Sequence, residues 1–459
     1  MAKKVLLMLL LIAVCAFTFA QSANETSKKG EEEITLSLYG PAKLFLTEQD
    51  TIDPATGAVN MGFSSIVTRW NELHPNVKLK IQGIGWSDWK AAIVTAVAGG
   101  DVDIILHGGV LTDLVEDLGP YVEKDRAVYD QLYVKSIKRT DKIEGKTLED
   151  DVITCLLYAV NPIGMIIDKQ IFADWGVELP DSDSYTWTDV INMASKMTGI
   201  NPVTGKQNYG YKMRGTRGTD INKQYALIAS AKDAKVFNYG KTFEDTTFDF
   251  TNAKTIEVFK TMVELAKYCS PDNVEGVDDS ENISVDNDSA MIWTEDFGQV
   301  CKTINAKGLQ DRFVLINLPV IEEGANKGRP SLYLGDNNIA INKYSPNKDW
   351  AWEFIKFLVT DEVPAKVMAS KGLRGNTEYA INLLKEQIGE ENVATIKNIL
   401  SKFPDNYNND SNDYFEMVSI PTAETFTSAI LHELVKETYS PMQCAEKIQT
   451  EFLNAIAMN

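Results

Sequence analysis

The tightest constraint on this chain lies between Ile34 and Leu106, where two hydrophobic periods take turns. Residues 34–39 alternate apolar and polar side chains and stop at Gly40-Pro41, the period of a half-buried strand. Phe63, Ile66, Val67, Trp70 and Leu73 then recur at helical spacing. His74-Pro75-Asn76 ends that stretch, because proline disfavours helical geometry in the residue before it. Val77, Leu79 and Ile81 alternate again up to Gly83-Ile84-Gly85. A second helical stretch runs from about Ser87 to Ala98, and Gly99-Gly100 leads into a third strand over Val102–Leu106. Strand, helix, strand, helix, strand with short links implies a parallel sheet with right-handed crossovers. Ligands of such sheets bind beyond the carboxyl ends of the strands. Those ends are Tyr39-Gly40-Pro41, Gly83-Ile84-Gly85-Trp86 and His107-Gly108-Gly109, all expected on one edge.

The remainder of the 459 residues is long enough for one or two further cores. Ile163–Ile167 is an apolar run. Thr186 or Thr188 can cap a helix whose apolar positions are Val190, Met193, Ala194 and Met197. Phe313–Ile316 and Asn338–Asn342 read as strands, Lys348–Leu358 as an amphipathic helix, and residues 421–456 as helix broken near Ser440-Pro441. Trp187, Trp350 and Trp352 sit in helical apolar patterns and are assigned to cores. No internal repeat of fixed period is present.

Lys3 and Lys4 precede an apolar run from Val5 to Ala20. A basic segment followed by a short apolar one is the pattern of a secretory signal peptide; the run is too short for a bilayer span and a polar stretch follows it. The expected cleavage follows Ala20, making 1–20 a signal peptide and 21–33 a flexible leader. Ile12-Ala13-Val14-Cys15 offers a lipid anchor at Cys15 instead, but Val14 is bulky where a small residue is usual. Either way the protein is expected to be periplasmic or otherwise extracytoplasmic. The formal charge of −20 repels nucleic acid and anionic lipid. It also argues against an anionic ligand, unless a local basic site overrides it. Cys155, Cys269, Cys301 and Cys444 remain after cleavage, with free thiols and disulfides both open.

Motifs for chemistry fail on inspection. Gly145-Lys146-Thr147 and Gly240-Lys241-Thr242 resemble ends of phosphate-binding loops, yet Thr140 and Lys235 stand where the earlier glycine belongs. There is no nucleophile elbow. His74, His107 and His432 lack zinc-site spacing. Asp405–Glu416 has the length of a calcium loop, but Asp410 replaces its glycine and Tyr407 an oxygen ligand. No cofactor and no metal are expected. The carboxylates alone leave a secreted carbohydrate-active enzyme as the alternative function.

Several ordered blocks resemble the extracellular solute-binding proteins of ABC importers, the family of maltose-binding protein. They are Trp70–Ile81; Ala98–Ile105, with Val102 in place of the usual proline; Met165–Phe172 followed by Trp175-Gly176 and Thr186-Trp187, with Asp168 where asparagine is typical; Ser289–Phe297; and Ile339–Phe354. The resemblance runs from about Ile34 to the C-terminus. It implies a hinged two-lobe α/β fold of the type II periplasmic binding protein kind, each lobe a mainly parallel sheet flanked by helices. Lobe one would comprise 31–155 plus 313–370, and lobe two 156–312 plus 371–459. It further implies a monomeric, non-enzymatic receptor that passes a small molecule, a neutral sugar, to ABC importer membrane subunits. Presentation to a chemoreceptor is a further possible use.

Sugars offer apolar CH faces edged by hydroxyls, so rings stack on the faces while amides and carboxylates read the edges. Candidate ligand residues from the strand ends of lobe one are Tyr39, Trp86, His107 and Gly108. Tyr158 and Asn161 come from the hinge, and Asp336 and Asn337 from the returning strand. The resemblance adds Trp293, Glu295 and Phe297 in lobe two. Trp89 is read as core, and Arg374 as either ligand contact or interlobe structure.

Overall fold

Leu36 and Leu38 on one face of the first strand are buried, while Ser37 and Tyr39 on the other are half-buried. That alternation places the strand between two layers. The computed structural model describes residues 33–54, 57–86, 89–109, 111–135, 152–216, 218–238, 247–277, 283, 285–294, 297–329, 331–403 and 423–458. The expected signal peptide and leader, both phosphate-loop-like motifs, the acidic stretch 405–416 and Glu295 lie outside the described residues.

Five strands form the first sheet: β1 (Ile34–Pro41), β2 (Val77–Ile84), β3 (Ile104–Leu106), β4 (Leu156–Pro162) and β8 (Leu334–Ile341), in the order β2-β1-β3-β8-β4. The pairs of β1 with β2 and with β3 are parallel, and β8 runs against both β3 and β4. Four of the five strands therefore point the same way. Helix α1 (Ser64–Leu73) buries Ile66 and Trp70 and ends at His74, whose N–H bonds the Trp70 carbonyl. Helix α2 (Trp89–Ala98) buries Ile93 and Val97 on the other face. The Trp70 indole donates to the Val77 carbonyl at 2.8 Å, which fixes α1 against β2. Asp103 ties the sheet to the following segment. It accepts from the Ser37 N–H at 2.8 Å and the Ser345 hydroxyl at 2.6 Å.

The second sheet has three strands, β5 (Gly164–Asp168), β6 (Met291–Thr294) and β7 (Phe313–Ile316), with β5 central. Here the expectation of mainly parallel pairing fails, since both ladders to β5 are antiparallel. The reason is connectivity. β5 runs away from the first sheet as a near-continuation of β4, whereas β6 and β7 run back toward it. Met165, Ile167, Met291 and Trp293 face one core; Ile166, Ile292 and Leu315 face another. A sheet buried on both faces reads as continuous apolar runs. Helix α3 (Trp187–Lys196) is capped by Thr186, not Thr188: Thr186 Oγ1 accepts from the Asp189 N–H, and Asp189 Oδ2 accepts from the Thr186 N–H.

Leu156–Pro162 belongs to the first sheet and Phe313–Ile316 to the second. The chain therefore passes from the first sheet to the second at Pro162–Gly164 and is back in the first at Leu334. The two crossings pair with each other, Leu334 against Pro162, and the Ile163 N–H bonds the Tyr333 carbonyl at 3.0 Å. A third segment locks them. Arg374, fully buried, donates from Nε to the Val160 carbonyl at 3.1 Å and from Nη2 to Asn161 Oδ1 at 2.5 Å. Cys155, Cys269, Cys301 and Cys444 are buried free thiols. Trp187 and Trp352 lie in cores as expected, while Trp350 is only partly buried and meets His74 edge-on.

Replacing Arg374 with methionine removes the donors from the buried Val160 carbonyl and from the half-buried Asn161 amide. Arg374→Met is expected to lower unfolding stability by about 3 kcal/mol. A urea midpoint indistinguishable from wild type would show that the guanidinium does not hold the crossings.

Candidate functional site

The parallel alignment of β1, β2 and β3 brings their carboxyl ends to one edge. Because β8 is antiparallel to β3, its amino end meets that edge too, and the carboxyl end of β4 lies beside it. Tyr39, Trp86, His107, Gly108, Asn161, Asp336 and Asn337 thus share one rim of the first sheet. The sequence pattern placed Tyr39, Trp86, His107 and Gly108 on that edge, and the register brings Asn161, Asp336 and Asn337 to it as well.

Three rings form the most developed part of that rim. The Trp86 centroid lies 4.9 Å from His107 and 6.2 Å from Trp89, and His107 lies 5.0 Å from Trp89, all edge-to-face. Trp86 nevertheless stays 50% exposed. Its indole is therefore held by two ring contacts while half of the residue stays open to solvent. Trp89 packs partly buried against the core under α2, beside Tyr39.

His107 takes φ +59°, a left-handed backbone that side chains rarely adopt. It is held there by Asn338, whose carbonyl accepts the His107 N–H at 2.8 Å. The Asn338 amide nitrogen lies 3.4 Å from His107 Nδ1, and its amide oxygen accepts the Gly109 N–H at 2.8 Å. Such strain, of order 1–3 kcal/mol, persists where the surroundings over-determine it and often marks a site. Gly108 offers backbone only, since a Cβ there would lie 2.7 Å from the Ile105 Cγ2.

Other candidates are placed differently. Tyr158 is buried in the core of the first sheet, because its side chain lies on the α1 face of β4. Trp293 is fully buried: its indole donates to Gln224 at 2.8 Å and the Arg214 guanidinium lies over its ring. Neither ring has a face open to a ligand in this conformation, which corrects the expectation for both. The Asn161 amide oxygen is engaged by Arg374, so Arg374 is a structural clamp. Asn337 is buried at the register shift between Asn337 and Asn338, and Asp336 pairs through its backbone with Val160. Phe297 opens helix α6 (Phe297–Ala306) immediately after β6 and residues 295–296. That helix abuts the hinge, since a Cβ on Gly298 would lie 2.4 Å from the Gly372 carbonyl.

One feature of this region had no sequence signal. Lys302 of α6 reaches the loop that follows β1, with Nζ 3.4 Å from Asp53 Oδ2, 3.3 Å from Asn60 Oδ1 and 3.0 Å from the Ser370 carbonyl. Lysine and aspartate 249 residues apart carry no local pattern. A recess of about 290 Å³ adjoins them, lined by Lys43, Leu46, Thr47, Thr51, Asp53, Asn60 and Lys371.

Residues 59–363 match the family model of the bacterial extracellular solute-binding proteins. The chain belongs to that family. Its fold is shared with solved structures of low sequence identity. An ABC substrate-binding protein from Listeria monocytogenes in complex with cycloalternan is 17% identical with a TM-score of 0.60, over 93% of this chain and 99% of that one. The sugar-binding protein MalE of Xanthomonas citri is 14% identical with a TM-score of 0.65, over 92% and 98%. An ABC transporter solute-binding protein from Agrobacterium radiobacter in complex with ribitol is 14% identical with a TM-score of 0.63, over 92% and 98%. Among the described residues of this family member, no helix is long and apolar enough to cross a membrane. No group of three or more His, Cys, Asp or Glu comes together there to hold a metal ion.

The contrast between the two tryptophans is directly testable. Trp86→Ala is expected to weaken solute binding by roughly thirtyfold, about 2 kcal/mol, with little change in unliganded stability. Trp293→Ala is expected to cost about 3–5 kcal/mol of folding stability. Calorimetric affinity and denaturation on both variants decide it; normal binding by Trp86→Ala would move the site off this rim.

Proposed function

We propose that this protein is the receptor of an ABC importer, capturing a sugar or polyol between its lobes and delivering it unchanged to the membrane subunits. One observation carries the reading: a buttressed, half-exposed Trp86 on the strand-end rim beside the paired crossings. A ring in that setting binds the apolar face of a sugar, while the neighbouring amides and backbone groups suit hydroxyls. The bound molecules named for the Listeria and Agrobacterium proteins, cycloalternan and ribitol, support a carbohydrate-like ligand.

Capture works through differential contact. A solute that touches both lobes only when they close shifts the population toward the closed state. Hinge closure of periplasmic binding proteins is the standard instance of this motion. Here the crossings are strands paired to each other, so the lobes pivot where the backbone is already hydrogen-bonded. Export precedes function: residues 1–20 are removed and the mature chain works outside the cytoplasm as a monomer, with a lipid anchor at Cys15 the other route to the same compartment.

A thermal-shift screen against sugars and polyols, followed by mass analysis of the recovered ligand, tests this reading. At one hundred times Kd a true ligand raises stability by about 2.7 kcal/mol and is recovered intact. Conversion of the ligand to a product would make the chain an enzyme, and a screen with no stabilising sugar or polyol would remove the proposed ligand class.

A further inference from the structure

Composition argued against an anionic ligand unless a local basic site exists, and the structure contains one. The recess beside the loop after β1 is lined by Lys43 and Lys371, with Lys302 directly behind it. Lys371 follows helix α8 (Glu362–Ser370) and is only 7% exposed. Its N–H bonds the Met368 carbonyl at 3.0 Å, but among the described residues its ammonium meets no hydrogen-bond or ion-pair partner. Burial and Lys43 both lower its pKa, against a smaller opposing pull from Asp50. Two carboxylates are near. Asp53 is engaged by Lys302, and Asp50 accepts the Gly62 N–H at 2.7 Å. Thr47, Thr51 and Asn60 add hydroxyl and amide groups to the wall.

The Lys371 side chain is packed in while its ammonium opens on the recess without a hydrogen-bond or ion-pair partner, a position that a counter-charge would stabilise. We propose that this recess binds an oxyanion, a carboxylate or phosphate group, through Lys371 and Lys43. The group is either free in solution or borne by the captured solute, since the recess lies where the loop after β1, helix α6 and the segment after α8 meet. It shares no lining residue with the ring cluster of Trp86, Trp89 and His107. The proposal therefore stands or falls separately from the sugar reading.

Calorimetry on the full mature chain tests it, with inorganic phosphate, glucuronate, glucose 6-phosphate and glucose as probes at low and high salt. Wild type is expected to bind at least one anionic probe, more weakly at high salt. Lys371→Met is expected to weaken that binding by about tenfold or more while keeping an unliganded unfolding midpoint close to wild type, because the substitution breaks no hydrogen bond or ion pair. The exposed Lys206→Met serves as control and is expected to bind as wild type. Binding of inorganic phosphate assigns a free anion; binding of only the sugar-borne acids assigns the group to the solute. If no anionic probe binds wild type, or Lys371→Met binds like wild type, the proposal is overturned. Glucose binding that is equal in both proteins leaves the sugar reading standing alone.

Discussion

Arg374 and Asn376 hold the region on which everything else turns. The guanidinium of Arg374 is sealed from solvent and donates to the backbone and side chain of β4, while the Arg374 carbonyl accepts the Val160 N–H at 2.8 Å. Two residues on, the buried Asn376 amide donates to the Val134 and Leu157 carbonyls and accepts the Val134 N–H. Four stretches far apart in the chain, around residues 134, 157–161, 333–334 and 374–376, are thereby fixed together. Polar groups buried this deeply must be paired to be tolerated, so the local geometry is strongly specified. Both sheets are positioned by what happens here.

From that fixed junction the rim follows. β4 and β8 leave it side by side, β8 delivers Asn337 and Asn338 to the carboxyl end of β3, and Asn338 sets the unusual backbone of His107. His107 in turn meets Trp86 in a T-shaped contact. The half-exposed indole is the last member of a chain of contacts that begins at the crossings.

The sequence revealed the first sheet well because its information is local. Alternation in Ile34–Tyr39 and Val77–Ile81, helical spacing around Trp70, and the proline at position 75 each act within a few residues. The crossings between the sheets carry no such local signal. Leu156–Pro162 and Gly164–Asp168 are both uniformly apolar, and which sheet each joins is decided by pairing with strands far along the chain. Trp293 shows the same limit at the level of one residue: an aromatic in a strand buried on both faces looks identical in sequence to an aromatic at a site. Lys371 is the mirror case. A lysine after a helix reads as an exposed C-terminal residue, and only packing of the loop after β1 and of α6 against it reveals its burial.

Closure on a solute would draw the two lobes together about the paired crossings. Val94 on α2 and Val203 in the second lobe are both exposed and suit nitroxide labels through Val94→Cys and Val203→Cys, while the native thiols are buried. Pulsed electron spin resonance on this pair, with and without saturating ligand, reads that motion. A ligand-dependent shift of the distance distribution toward a single, more closed population is expected. An unchanged distribution at full occupancy would rule closure out.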